Sequence, residues 1–345
     1  MYKCAIIGVS GGRARGHAEA FGHVGRGRLA AVSSRTKDKL DAFADEYGVG
    51  PRYTDYREML EKERPDLVFV NTPPTVRLEI LEAAKAAGTP GLVVEKPVAV
   101  EGEDFRAIRE FARSTKAGGG GPKVALNHQL HFHPRRQHLQ TLVADGGIGE
   151  IRFVEASSGM NLAYQGTHSL QAIGAFLPGR SALSVFGQVS GASGLQDTPA
   201  QHFAPDESLA TVKYEGGVDA VLRCGANAPR VSDGPIHRHK RIAVYGTKGS
   251  VLWTMSSWET LTGGARDGGA HEYGEEDIRG QAALTEAMFD WLEDERAVHP
   301  LNLDAALGDF NIIVGLYESA LQRAVIELPV EPGDELVRRL RQALG

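Results

Sequence analysis

Short apolar runs alternate with stretches of helical spacing throughout residues 1–127, and this alternation restricts the fold more than any other feature. A short apolar run bounded by turn residues is typical of a strand buried inside a sheet. Strands separated by helices of about 10 to 15 residues indicate a parallel, doubly wound α/β sheet, the Rossmann type. The predicted strands are residues 2–9, 29–33, 67–70, 91–95 and 123–127.

The pattern changes after residue 130. Strand-like runs then follow one another with short links, and residues 215–217 (EGG) and 247–249 (TKG) are typical hairpin turns. These features predict a large, open, mainly antiparallel sheet in an α+β domain, closed by helices over residues 280–295 and 303–325. The predicted strands are residues 151–157, 183–189, 209–214, 218–224, 241–246 and 250–255.

A chain of 345 residues is too long for one ordinary core, so we expect two domains. The change of pattern places the first domain at residues 1–128 and the second at residues 129–345. We expect the last helices of the second domain to pack back towards the first. Residues 193–204 and 255–276 are polar and rich in glycine, which predicts loops.

The charge balance excludes several classes of partner. With 44 acidic and 38 basic residues the formal net charge is −6, which argues against a general nucleic-acid or membrane-surface binder. No apolar run approaches the length of a membrane span or of a signal peptide's apolar region. Two cysteines, Cys4 and Cys224, cannot form a disulfide framework, so we expect a reducing compartment, the cytoplasm.

A glycine-rich turn, GVSGGRARG at residues 8–16, follows the first strand and opens a helix. Glycines in such a turn let the backbone approach a pyrophosphate, which rests on the amino end of the helix. The strict G-x-G-x-x-G pattern is broken, because Ser10 holds its second glycine position and Arg13 its third. The alternative is a tight turn that binds no ligand. The expected dinucleotide contacts in this turn are Gly8, Ser10, Gly11, Gly12 and Arg13.

The end of the second strand favours NADP(H) over NAD(H). A free ribose usually meets an acid there, which accepts a hydrogen bond from the 2′-hydroxyl. This chain has no carboxylate between Glu19 and Asp38, and the strand is followed by Ser34 and Arg35. A hydroxyl beside a guanidinium suits a 2′-phosphate, because arginine offers forked donors and a permanent charge. The alternative is that Arg35 merely begins a solvated helix.

The run GLVVEKPV at residues 91–98 ends abruptly in a charged pair and a proline. It predicts a buried parallel strand that reaches its carboxyl edge, where ligands bind in open α/β sheets. Lys96 at that edge is a candidate acid or base, provided that burial or nearby positive charge lowers its pKa towards neutral. We expect Glu95 to position Lys96 or the backbone near the cofactor. Taken alone, the tripeptide is more typical of a solvated strand end closed by a proline turn than of a site.

Five short motifs are distributed over both halves of the chain. They are the glycine turn followed by His17, the run Asn71-Thr72-Pro73-Pro74, Glu95-Lys96-Pro97, the run GGIGEI at residues 146–151, and Gln165-Gly166-Thr167-His168. In this order and spacing they resemble the Gfo/Idh/MocA oxidoreductases, the glucose–fructose oxidoreductase and inositol dehydrogenase group. The resemblance implies a Rossmann domain, a carboxyl-terminal open sheet and a sugar or polyol substrate between them. It also implies a homodimer or homotetramer formed through the outer face of that sheet.

The resemblance implies a proton-transfer site built on Lys96 and His168, with two departures. Tyr164 and Gln171 stand four residues before and three residues after His168, where the fullest family pattern has aspartates. Arg77 stands where a histidine is common after the proline pair. We expect Tyr164 to serve as a donor in place of the missing aspartate, so the catalytic set is Lys96, His168 and Tyr164. Further cofactor contacts are expected from Asn71, Thr72, Pro73, Glu95 and Lys96, and substrate contacts from Arg77, Asn127, His131, Tyr164, His168 and Gln171.

These residues predict hydride transfer between C4 of a nicotinamide and a carbinol carbon, with Lys96 as acid or base. Two alternatives stay open: a redox-neutral lyase or glycosidase that retains its cofactor, and a non-catalytic sensor of the dinucleotide. Several histidines lie close together in the sequence and would permit a metal site, but no cysteine or acid stands at matching spacing. Neutral histidines near a sugar explain them equally well, so we expect no metal. They are His128, His131, His133, His138, His237 and His239.

Overall fold

The computed structural model describes residues 1–117, 120–196 and 200–345, which form two compact units. The first unit consists of Met1–Ala99, Arg106–Phe132 and Asp277–Ala306. The second consists of Val100–Phe105, His133–Glu276 and Leu307–Gly345. This division differs from a single boundary after residue 128, because a late segment of the chain belongs to the first unit.

The first unit contains a six-stranded sheet in which every neighbouring pair is parallel, in the order β3-β2-β1-β4-β5-β6. This confirms the predicted doubly wound sheet. The order reverses beside β1, and such a switch point opens a crevice at the carboxyl ends of the strands. The strands are β1 (Tyr2–Ile7), β2 (Gly27–Ser33), β3 (Arg52–Tyr53), β4 (Leu67–Val70), β5 (Gly91–Val94) and β6 (Lys123–Leu126).

Helices follow these strands, as the alternation predicts. The first helix begins at Gly12 rather than at residue 16, so the glycine-rich turn after β1 is shorter than predicted. The third is capped by Asp55, whose carboxylate accepts a hydrogen bond from the amide of Arg57. The helices are α1 (Gly12–Ala20), α2 (Lys37–Glu46), α3 (Tyr56–Glu63), α4 (Arg77–Ala86) and α5 (Gly102–Ala117).

A helix from the late part of the chain, α8 (Tyr273–Glu293), completes the core of the first unit. Its Phe289 is fully buried and stacks on Tyr2, with ring centroids 4.2 Å apart. A side chain at Gly27 would meet the Phe289 ring at 2.6 Å, so β2 accommodates the ring only because it has glycine there. Arg26 beside it pairs with Glu286 at 2.6 Å. The apolar face of α8 therefore packs against the first sheet.

The second unit contains a nine-stranded sheet, which confirms the predicted large and mainly antiparallel sheet. Neighbouring pairs are antiparallel except β7 and β10, which run parallel. The order is β14-β13-β12-β11-β7-β10-β9-β8-β15. The strands are β7 (Ile151–Ser158), β8 (Ala182–Ser190), β9 (Glu207–Tyr214), β10 (Val218–Cys224), β11 (Lys240–Gly246), β12 (Gly249–Thr254), β13 (Ser257–Thr262), β14 (Ala265–Ala270) and β15 (Ile326–Glu327).

One predicted loop is wrong. Residues 255–276 form β13 and β14, which extend the edge of the sheet through backbone hydrogen bonds. Every residue of β14 is exposed, so the apolar alternation that marks a half-buried strand is missing from its sequence. In the other predicted loop, Ser193–Leu195 form a short 3₁₀ turn, and residues 197–199 lie outside the described residues.

The helices that accompany this sheet include one that sequence patterns did not predict. It is α7 (Thr167–Phe176), and a turn of π-helix, Leu162–Gly166, leads into it. A side chain at Gly166 would meet Leu162 at 2.6 Å and the sulfur of Cys224 at 2.7 Å, so only glycine fits this entry to α7. The remaining helices are α6 (Pro134–Ala144), α9 (Leu303–Gln322) and α10 (Leu336–Leu344). Among the described helices, none is both long and apolar enough to cross a bilayer.

The outer face of the second sheet carries several large apolar side chains. Leu183 and Phe186 on β8, Leu209 on β9 and Tyr245 on β11 are each 37% to 46% exposed. Phe153 on β7 stacks beside Tyr245, with ring centroids 5.8 Å apart. The opposite face is buried, as the alternation of buried and exposed residues along β9 shows. This outer face therefore exposes more apolar surface than isolated side chains would.

Phe289→Ala should lower the free energy of unfolding by about 3–5 kcal/mol, because it removes a ring that fills the core against Tyr2 and Gly27. Urea unfolding followed by circular dichroism measures the change. Val298→Ala, at a side chain that is 54% exposed, is the matched control and should change stability by less than about 0.5 kcal/mol. Equal effects of the two substitutions would show that α8 does not complete this core.

Candidate active site

The crevice beside β1 begins at a glycine that no other residue can replace without strain. Gly8 has a φ of +87°, and a side chain there would meet the backbone oxygen of Asn71 at 3.0 Å. Its amide donates to the carbonyl of Ser33 at 2.8 Å. Gly8 thus brings the ends of β1, β2 and β4 close together at the switch point of the sheet.

The turn into α1 is open to a ligand. Gly11 and Gly12 have no atom within 4 Å of the place where a side chain would stand, and Ser10 is exposed. The residue that precedes α1, Gly11, gives the helix no side-chain cap. The first amides of α1 therefore point towards the crevice without a side-chain partner, which suits a pyrophosphate.

Unsatisfied polar atoms line the crevice at the end of β4. Both amide atoms of Asn71 and the hydroxyl of Thr72 are buried, and none has a hydrogen-bond partner among the described residues. Such orphaned groups are rare in folded proteins and commonly serve a ligand. Together with the open glycine turn, they fit a dinucleotide. Pro73 follows directly and starts the 3₁₀ turn Pro74–Val76 that leads to α4.

The end of β2 carries the residues that would meet the adenosine ribose. Ser33 is buried, Ser34 is partly buried and Arg35 is exposed. Within the described ranges no ion pair involves Arg35, whereas Lys37 pairs with Asp41 at 2.6 Å. The guanidinium of Arg35 is therefore available, and Lys37 belongs to the surface of α2.

Lys96 lies directly past β5, at the carboxyl edge of the sheet, and is 9% exposed. Its pKa falls to about 8, first because burial disfavours the charged ammonium. The positive charges of Arg13 and Arg77 lower it further, and the carboxylate of Glu95 acts in the opposite direction. The Lys96–Pro97 peptide bond is cis. A lysine with this pKa can both take and give a proton near neutral pH.

The carboxylate of Glu95 is the anion at the centre of the first unit's site. Asn127 at the end of β6 donates to Glu95 Oε1 at 2.5 Å, and His17 Nε2 on α1 lies 3.7 Å from the same oxygen. Burial raises the pKa of Glu95, but the contact with His17 and the charges of Arg13 and Lys96 hold it at about 2. Burial lowers the pKa of His17, and the nearby carboxylate of Glu95 acts in the opposite direction.

The side chain of Arg77 is buried between the segment that follows β4 and the segment that follows β5, and it does not lie on an exposed surface. Its guanidinium is 1% exposed and donates to the carbonyls of Glu95, Pro97 (3.1 Å) and Thr72 (3.4 Å). Its pKa falls to about 10 because burial outweighs the attraction of Glu95. Arg77 thus ties the segment after β4 to the segment after β5.

Sequence reasoning missed Asp277, which lies near the start of α8 in the first unit. One of its carboxylate oxygens lies 3.3 Å from Arg13 Nη1, and the other accepts a hydrogen bond from Gln129 Nε2 at 2.8 Å. Gln129 belongs to the short turn Gln129–Phe132 after β6, which also carries His131. Asp277 is separated from Arg13 by 264 positions, so no local pattern could connect them.

The other predicted residues belong to the second unit. Tyr164 lies in the π-helical turn before α7, is 37% exposed, and its ring lies 4.8 Å from that of His202. His168 and Gln171 lie on α7 and are 6% and 8% exposed. The buried Arg136 on α6 donates to Gln171 Oε1 at 2.9 Å, and burial lowers its pKa to about 9. Gln171 therefore turns its amide oxygen towards a cation.

The histidines do not form a metal site within the part of the chain that the structure describes, where no three histidine, cysteine or acidic side chains are grouped to hold an ion. His133 lies 3.5 Å from Glu276, which also contacts His271 at 2.7 Å. His239 accepts a hydrogen bond from the amide of Val231 at 3.3 Å. His133 and His239 thus contact different parts of the second unit.

Residues 2–118 match the family model of an oxidoreductase family with an NAD-binding Rossmann fold, the Gfo/Idh/MocA family. This match supports an oxidoreductase of the Gfo/Idh/MocA type and covers about a third of the chain. Similar proteins include the uncharacterized oxidoreductase YrbE of Bacillus subtilis, which is 22% identical over 73% of this chain and 74% of YrbE. The trans-1,2-dihydrobenzene-1,2-diol dehydrogenase of Bos taurus is 24% identical over 67% of each chain. The aldose-aldose oxidoreductase of Caulobacter crescentus, solved with glycerol, has the same fold, with a TM-score of 0.76 and 22% identity. The structural match covers 95% of this chain and 99% of the Caulobacter chain.

The charges around Lys96 predict opposite effects of two substitutions on its pKa. Glu95→Gln should lower the pKa of Lys96 below 8, because it removes the anion that favours the ammonium. Arg77→Met should raise it, because it removes a nearby cation. Carbon-13 NMR of lysines labelled at the ε carbon measures both changes. Arg77→Lys keeps the charge and should move the pKa less than Arg77→Met; movement in the same direction in Glu95→Gln and Arg77→Met would contradict these assignments.

Proposed function

We propose that the protein is an NADP(H)-preferring oxidoreductase that transfers hydride to or from a carbinol carbon of a sugar, polyol or sugar derivative. The observation that carries this proposal is Lys96, a buried lysine with a pKa of about 8 at the carboxyl edge of β5. It lies past the strand next to β4, whose end carries the unsatisfied Asn71 and Thr72. When bound, the nicotinamide would supply or accept the hydride.

Lys96 moves the proton that accompanies hydride transfer. In oxidation its neutral amine takes the proton from the substrate hydroxyl, and in reduction its ammonium gives a proton to the carbonyl oxygen. Glu95 limits how far the pKa of Lys96 falls, since it is the counter-ion of the resulting ammonium. Arg77 is a positioning residue, because it holds the carbonyls on both sides of Lys96 and does not present its guanidinium to solvent.

The proposed substrate contacts are polar side chains. His168 orients the reacting hydroxyl or shares its proton, and Tyr164 donates where the resemblance predicts an aspartate. Asn127, His131 and Gln171 complete the proposed set. The proposed cofactor contacts are those of the open crevice: Gly8, Ser10, Gly11, Gly12, Arg13, Ser34, Arg35, Asn71, Thr72, Pro73, Glu95 and Lys96.

The names of two relatives support the substrate class. One is a dehydrogenase of a vicinal diol and the other an oxidoreductase of aldoses, so a carbon that bears a hydroxyl group is the common chemistry. The partner is therefore a small molecule. We also propose a homodimer or homotetramer that buries the outer face of the second sheet, because that face exposes Phe186, Leu209 and Tyr245.

Replacing Lys96 tests the acid–base role. In the wild type, kcat/KM for oxidation of a polyol should rise with pH through about 8, because only the neutral amine accepts a proton. Lys96→Met should lower kcat by about 10²–10⁴-fold and remove this rise. The Kd of NADP+, measured by fluorescence titration, should change less than about threefold.

Lys62→Met, an exposed lysine of α3 that pairs with Glu58, is the matched control and should keep full activity. Unaltered turnover of Lys96→Met would reject the role of Lys96. A wild-type protein that binds NADPH but converts no polyol, aldose or ketose would instead be a sensor. Conversion of a sugar without net change in NADPH would identify a redox-neutral enzyme.

Replacing Arg35 tests the cofactor preference. The wild type should bind NADPH more tightly than NADH, and Arg35→Asp should weaken NADPH binding by about 10- to 100-fold, because it removes the donor to the 2′-phosphate and introduces repulsion. NADH binding should change much less. Arg28→Gln, at an exposed position at the opposite end of β2, is the control. Tighter binding of NADH by the wild type would overturn the preference.

A further inference from the structure

We propose that Asp277 holds the guanidinium of Arg13 away from the pyrophosphate site, and that the dinucleotide takes Arg13 over when it binds. Asp277 is then a positioning residue that lowers the affinity for the dinucleotide and keeps the bound cofactor exchangeable. This inference rests on the proposed function, because it needs Arg13 as a contact of the cofactor. Both residues belong to the first unit.

The side chain of Arg13 lies along the side of α1. Arg13 is the second residue of this helix and directly follows the open glycine turn. Side chains on a helix normally lean towards its amino end, which is where a pyrophosphate rests. Arg13 Nη1, however, lies 3.5 Å from the place where a side chain at Gly16 would begin. Because Gly16 is almost one turn further along α1, the guanidinium does not lie over the first amides of the helix.

The carboxylate of Asp277 meets the guanidinium in this position. Asp277 Oδ2 lies 3.3 Å from Arg13 Nη1, the same nitrogen that lies beside Gly16. The two side chains are 31% exposed for Arg13 and 14% exposed for Asp277. Strong contacts between a guanidinium and a carboxylate have N–O distances of about 2.7–2.9 Å. A contact of 3.3 Å between partly exposed groups is weaker, so a phosphate can displace this carboxylate.

Asp277 keeps a hydrogen-bond donor when Arg13 leaves it. Its other oxygen, Oδ1, accepts a hydrogen bond from Gln129 Nε2 at 2.8 Å. The exchange therefore does not leave the carboxylate without a partner. A pyrophosphate offers Arg13 more than Asp277 does, because it carries two negative charges and its oxygens match the forked donors of a guanidinium.

The charge of Arg13 already acts on groups that line the crevice. Burial is the largest influence on the pKa of Glu95 and of Lys96, and the charge of Arg13 contributes to both. The guanidinium is therefore within electrostatic range of the crevice. The side chain starts one residue after Gly12, so rotation about its own bonds is enough to bring the guanidinium to the glycine turn.

Asp277→Asn tests the inference, because it removes the charge that holds Arg13 and keeps an acceptor for Gln129. The probe is NADP+ or NAD+, whichever the wild type binds more tightly. Its Kd is measured by fluorescence titration and its dissociation rate by stopped-flow displacement. Asp277→Asn should lower the Kd about three- to tenfold, mainly through slower dissociation. Asp290→Asn, the same change at a 57% exposed side chain on α8, is the control and should leave the Kd unchanged.

A double-mutant cycle shows whether Asp277 acts through Arg13. Arg13→Gln should raise the Kd about 10- to 100-fold, because it removes a cation from the pyrophosphate. In that background Asp277→Asn should change the Kd less than about twofold.

The outcomes separate this inference from the proposed function. An unchanged or raised Kd in Asp277→Asn would overturn the inference and leave the dinucleotide site intact. An equal decrease in the Arg13→Gln background would also overturn it, because Asp277 would then simply repel the cofactor. A wild type that binds neither dinucleotide would overturn the proposed function together with this inference.

Discussion

The site of the first unit depends on the largely buried carboxylate of Glu95, whose side chain is 14% exposed. A carboxylate can stay ionised in an apolar interior only when donors and cations surround it. Asn127, at the end of β6, donates a hydrogen bond to this carboxylate, and His17 on α1 makes a second contact with it. Lys96 and Arg13 supply the charge. One oxygen atom of Glu95 therefore fixes three elements that are far apart in sequence, and it determines the electrostatic surroundings of the proposed acid–base group.

Charges of both signs act on the pKa of Lys96. Arg77 and Arg13 disfavour its ammonium, Glu95 favours it, and burial decides the direction. Arg77 stays charged near neutral pH, whereas a histidine at the same position would gain and lose its charge in that range. The charge of Arg77 therefore stays constant over the pH range in which Lys96 titrates. Its guanidinium also serves backbone carbonyls, so geometry and electrostatics are coupled in one residue.

Periodicity predicted the parallel sheet and the position of Lys96 because both depend on local signals, an apolar run and the turn that ends it. It failed at β14, where exposed glycine and charged residues form a strand only because β13 provides backbone partners. It also failed at α7, where eight of ten residues are buried and no polar stripe marks a helix. Asp277 could not be predicted, since its contact with Arg13 exists only in the folded chain. The features that could not be predicted, β14, α7 and the contact of Asp277, therefore depend on packing between residues that are distant in the sequence.

The late helix α8 has a consequence for how the protein is made. The first unit needs Asp277–Ala306, yet its sheet is complete in the sequence at Leu126. A ribosome adds roughly 5–20 residues per second, so on the order of ten seconds or more separates the last strand from the helix that covers Tyr2 and Gly27. During that interval the nascent sheet presents an uncovered apolar surface. A fragment of residues 1–132 would lack Leu284, Met288 and Phe289, the buried side chains that α8 contributes to this core.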